Sequence, residues 1–94
     1  MTYTFEARKK DPAATLDYAV DWSDWLAADE TIEDYRVICE DDDIEISTPV
    51  ETAGVVRFQV GGGLAGADYY LTIEVSSSSG QIDQRTLLIP VRER

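Results

Sequence analysis

Residues 68–91 read DYYLTIEVSSSSGQIDQRTLLIPV. In the first half Tyr69, Leu71, Ile73 and Val75 alternate with Tyr70, Thr72 and Glu74, the two-residue period of a strand with one face against a core. A serine-rich stretch with Gly80 at its tip is short enough for a hairpin loop, and residues 82–91 pair back across it. In that returning strand Leu87, Ile89 and Val91 make the apolar face. Pro90 cannot donate to a ladder and places the strand's far end at a sheet edge.

The same period recurs outward from this hairpin. Residues 10–31 read KDPAATLDYAVDWSDWLAADET, in which Leu16, Tyr18, Val20 and Trp22 share one face of a strand and Asp17, Ala19 and Asp21 the other. Trp22, Trp25 and Leu26 then fall at helical spacing, one turn with a shared apolar side. Ile32 is followed, after a polar break, by Tyr35, Val37 and Cys39 in alternation. Ile44, Ile46 and Thr48 alternate as far as Pro49, and Val56, Phe58 and Val60 face one side of a further strand. No amphipathic helix longer than a turn, internal repeat or linker is found. The pattern predicts an all-β domain: an immunoglobulin-like β-sandwich of about seven short antiparallel strands over residues 11–94, with a small barrel as the second architecture. Residues 1–10 form an N-terminal arm. Tyr3 and Phe5 alternate like a strand while Arg8, Lys9 and Lys10 read as solvated, so the arm is expected to order against a neighbouring molecule.

At 94 residues the chain is one domain with a thin core. Its net charge is -11, and between Asp11 and Glu51 fourteen acidic residues face a single cation, Arg36. Such a surface repels phosphate, which disfavours nucleic acid and anionic membranes as partners. A lone cysteine, Cys39, excludes an intramolecular disulfide and fits synthesis in a reducing cytoplasm. No run approaches the length of a membrane helix and the N-terminus lacks a signal-peptide pattern, so a soluble, unprocessed protein is expected.

Little in the chain carries chemistry. It has no histidine, and therefore none of the usual base pairings for a serine or cysteine nucleophile and no zinc motif. Gly61-x-Gly63-x-x-Gly66 has the dinucleotide-binding spelling, but the residues after it alternate as a strand rather than opening a helix, so it reads as a turn. Its glycines would also let another backbone approach closely, as at a subunit contact. Residues 40–43 with Glu45 gather carboxylates as calcium requires, without the spacing of a calcium hand; a solvated acidic turn is the plainer reading. No catalytic, cofactor or metal residues are assigned. Trp22 belongs to the core, and Trp25 with Leu26 reads either as core or as an anchor for a partner.

The motifs Lys10-Asp11-Pro12, Ala14-Thr15-Leu16-Asp17-Tyr18, Asp21-Trp22-Ser23-Asp24-Trp25-Leu26 and Glu30-Thr31-Ile32 recur together with Gly62-Gly63, Ala65-Gly66, Tyr69, Ser79-Gly80, Asp83, Arg85 and Val91-Arg92-Glu93-Arg94. This set resembles small virion structural proteins of tailed bacteriophages and prophages, of the fibre-tail adaptor type. The segment 35–51 departs most, carrying an acidic loop in place of a Ser- and Thr-rich stretch with a tryptophan near Tyr35. The resemblance implies a non-enzymatic, immunoglobulin-like connector in the phage particle, present in several copies between tail or neck and fibre proteins. Trp25, Leu26, Arg92, Arg94 and the edge of the last strand would then be contact surfaces. Two other readings stand beside it: a capsid decoration protein, separated by copy number, and a sugar-binding or calcium-dependent adhesive module, separated by glycan binding or a calcium-dependent melting temperature.

Overall fold

The computed structural model describes residues 2–93, which fold as strands and connections without a full helix. The strands are β1 (Thr2–Glu6), β2 (Leu16–Asp21), β3 (Ile32–Ile38), β4 (Ile44–Ile46), β5 (Val50–Thr52), β6 (Val55–Gly62), β7 (Asp68–Ser77) and β8 (Ile82–Pro90). They form two sheets: one in the order β1-β8-β7-β3, the other β2-β6-β4 with β5 also on β6. Seven strands pair antiparallel, and β1 alone runs parallel to its neighbour β8. The all-β expectation holds.

Alternation becomes burial on both inner faces. Tyr18 and Val20 from β2, Val56, Phe58 and Val60 from β6, Tyr69, Leu71, Ile73 and Val75 from β7, and Leu87 and Ile89 from β8 are buried in one cluster, with Trp22 beneath the end of β2. Removing this much apolar side chain from water is the main stabilising term of the fold. The polar break in β3 is a bulge: its register against β7 shifts between Ile32 and Asp34, and the extra residue turns Ile32 and Tyr35, three apart, to the same side.

Three expectations are corrected. Lys10 is not solvated. It has no exposed surface, and its Nζ donates to the carbonyls of Gly62 at 2.6 Å and Asp11 at 2.8 Å. Burial lowers its pKa, partly opposed by the charge of Asp11. Second, β8 is not an edge: β1 of the same chain covers it, where a neighbouring molecule was expected to receive the arm. Pro90 fits there because Val91 directs its N–H and C=O toward 66–67, turning Pro90 toward the arm, where the β1 ladder has stopped at Glu6 and resumes only as the Lys10–Val91 bridge. Third, the backbone that approaches the glycine corner belongs to the same chain. A Cβ on Gly62 would lie 2.5 Å from the carbonyl oxygen of Asp43, and Gly62, Gly63 and Gly66 all take positive φ.

Candidate functional site

The two ends of the sandwich are built differently. At one end three connections meet, residues 22–31, 53–54 and 78–81. The predicted turn is present: Trp25 N and Leu26 N both donate to Trp22 O, at 3.0 and 3.2 Å, and Asp21 Oδ1 caps its start by accepting from Ser23 N at 2.8 Å. The Ser23 hydroxyl, and after it that backbone bond, hold the Asp21 carboxyl below its ordinary pKa. The Trp25 ring stands edge-on to Trp22, centroids 5.4 Å apart at 70°, a favourable aromatic geometry. Over the Trp22 ring lies the guanidinium of Arg85, 4.0 Å from its centroid, with Nη1 donating to Asp21 O at 2.7 Å. Trp22 is fully buried; Trp25 and Leu26 are half-buried, packed on the core with one side outward.

Glu30 ties this end together. Its Oε1 accepts from Ala27 N at 2.9 Å, and its Oε2 accepts from the Ser77 hydroxyl at 2.5 Å and from that of Ser79. These donors hold its pKa down, Ala27 N–H most strongly and then the two serines. Ser78 N donates to Thr31 O at 2.8 Å, closing the hairpin tip onto the β2–β3 loop. Beside it a groove of about 570 Å³ runs past Leu26, Ala28, Glu30 and Ala53. The Ser–Glu cluster is no catalytic pair, since a carboxylate already satisfied by three donors and acidified by them is a poor base at neutral pH.

At the far end Lys10, the 62–68 corner and the start of β7 converge. Tyr69 OH accepts from Leu64 N at 2.8 Å and donates to Asp43 Oδ2 at 3.4 Å, while Gly63 N donates to Asp43 O at 2.9 Å. The Gly61–Gly66 spelling is thus a strand end and a turn. Asp43 uses its oxygens inside the chain, and among the described residues no group of three or more acidic, Cys or His side chains is placed to hold a metal. Arg92 Nη1 donates to Ala67 O and Val91 O, at 3.1 and 2.8 Å, and its Nη2 to Asp68 Oδ1 at 2.9 Å. It clasps its own chain while remaining partly exposed. Arg94 lies outside the described residues.

The four residues read from the sequence as contacts are therefore not one patch. Trp25 and Leu26 sit with Ser77 at one end and Arg92 with Asp68 at the other, and β7 between them spans about 30 Å at roughly 3.3 Å per residue. Sequence reasoning missed the bonds of Glu30 to Ser77 and Ser79 and the bond of Arg85 to Asp21 beside its stack on Trp22, which join residues 47 to 64 positions apart.

The fold is that of a small two-sheet β module whose two ends are built differently. Its sequence places it: residues 10–90 match the family described as podophage GP4 fiber-tail adaptor protein gp77, and the chain belongs to that family. It is a non-enzymatic structural adaptor of the phage tail, hence of the virion, and as such contacts tail and fibre proteins. A search of the curated proteins returns no match.

Proposed function

We propose that this adaptor is an immunoglobulin-like sandwich of residues 11–94, with residues 1–10 as an arm, which works in several copies at the neck or tail and holds one partner at each end. Lettering the strands in chain order, with β4 and β5 together as D, gives B-E-D in one sheet and C-F-G in the other, a grouping that supports this reading, while the first strand lies against G instead of B. The observation that carries the two-ended reading is the separation of Trp25 and Leu26 from Arg92 along the 43 Å length of the molecule. Each end has what an interface centre uses: Trp25 and Leu26 at one, Arg92 and the exposed Leu64 at the other.

The test is the composition of purified particles in which the adaptor carries Trp25→Ala or Arg92→Ala, with the melting temperature of each variant measured beside it. The two variants should fail differently. One leaves the adaptor out of the particle; the other leaves it in place without its fibre. Identical defects, or none, would remove the two-ended reading.

A further inference from the structure

Neither end accounts for the free margin of β3. This strand closes its sheet on one side, with β7 as its one neighbour among the described residues. Ser77 N donates to Gln81 O, toward β8, and Ser78 N to Thr31 O, so the even-numbered residues of β7 turn their backbone groups toward β3. Their partners there are Asp34, Arg36 and Ile38. The backbone groups of Tyr35 and Val37 consequently face away from the sheet. Asp34 Oδ1 accepts from Tyr35 N at 3.0 Å, which leaves Val37 N–H and the carbonyls of Tyr35 and Val37 as an open ladder.

The side chains of the same residues point inward, yet the core does not close over them. Tyr35 and Val37, and Cys39 just beyond, pack against it only half-buried, whereas Leu71, Ile73 and Val75 beside them are buried. The cause lies in the opposing sheet. Arg85 of β8 reaches Asp21 at the end of β2, so the β4 and β5 side of that sheet falls opposite β3, and these two strands have three residues each, split by Pro49.

Charge selects the occupant. Exposed Glu33 and Asp34 flank one end of the margin and exposed Glu40, Asp41 and Asp42 the other, while the one cation between them, Arg36, is engaged by Glu74 at 2.8 Å. A second copy paired antiparallel about Val37 would set Asp34 against Glu40 and Glu33 against Asp41, and like charges directly opposite repel. We propose that β3 receives an extended strand from a tail or fibre protein, its alternate apolar residues covering Tyr35, Val37 and Cys39 and its Lys or Arg residues meeting the acidic ends. This rests on the adaptor reading and adds to it the place and chemistry of one contact.

Val37→Pro removes the outward N–H and no bond to β7. Glu33→Lys with Glu40→Lys leaves every backbone bond in place and reverses the charge at both ends. Each is supplied to a phage lacking the gene, and adaptor and fibre protein per particle are quantified beside the wild type. Either variant should lower adaptor incorporation or fibre content about tenfold, since it removes a ladder hydrogen bond or charge attraction at the contact, with the melting temperature held. Wild-type levels of both proteins with both variants overturn the strand-docking proposal and leave the adaptor reading intact. Should Val37→Pro fail to fold, the charge reversal decides alone. Absence of the wild-type protein from particles overturns the adaptor reading and this proposal together.

Discussion

Gly62→Ala is the substitution that probes the corner most directly. Gly62 has φ of +78°, and an alanine there is strained by about 1 kcal/mol before any contact is considered. Its Cβ would stand 2.5 Å from the backbone oxygen of Asp43, well inside the approach that real Cβ atoms make. Because that oxygen also accepts from Gly63 N and the Gly62 carbonyl accepts from Lys10 Nζ, relieving the clash displaces two hydrogen bonds. Overpacking of this kind adds about 2 to 3 kcal/mol, for a total of about 3 to 4 kcal/mol. In a domain of this size that lowers the melting temperature by about 15 to 30 °C. Gly66→Ala is the control: φ is +89° but nothing lies within 4 Å of its Cβ, so only the strain of about 1 kcal/mol applies. Thermal and urea denaturation of the two variants beside the wild type measure the difference. Equal losses for Gly62→Ala and Gly66→Ala would refute the close approach of Asp43.

Three further outcomes follow from the Trp end. Arg85→Met keeps the aliphatic stem but loses the stack on Trp22 and the bond to Asp21 O; it should cost about 2 kcal/mol in urea denaturation followed by tryptophan fluorescence, and a change under about 0.5 kcal/mol would contradict it. Ala53 and Gly54 form the two-residue β5–β6 turn, both at positive φ, and Ala53→Asn should stabilise the protein by about 0.5 to 1 kcal/mol; a lower melting temperature would contradict the turn geometry. Glu30 has a folded pKa depressed below its ordinary 4.5, so its contribution is complete above that value and is lost as pH falls through the folded pKa. Glu30→Gln should therefore flatten the acid limb of the stability–pH curve while leaving the limb above pH ~7 parallel to wild type, since Glu30 no longer titrates there; an unchanged acid limb would contradict the Glu30 tie.

What could be read in the sequence follows from distance along the chain. β2, β6, β7 and β8 were legible because each turns at least two apolar residues inward at a period of two, and the Trp22–Leu26 turn because its spacing is local. The bulge in β3 showed as Glu33 and Asp34 interrupting that period. β5 was not legible: of its three residues only Glu51 is even half-buried, and that carboxylate accepts from Gly54 N instead of packing. Lys10 misled because its burial depends on the carbonyl of Gly62, 52 residues away. Pro90 misled because β1 comes from the other terminus of the chain. For the residues proposed as contacts, the sequence did not carry the arrangement of Trp25, Leu26 and Arg92, since only the direction of β7 places them at opposite ends.

A cryo-electron microscopy reconstruction of the purified particle, in which this chain is located and its neighbours are traced, tests the connector account most directly. The account predicts a small set of copies at the junction of tail and fibre, with Trp25 and Leu26 against one protein and the Arg92 end against another. Copies spread over the head, or a junction in which both ends meet the same protein, would contradict it.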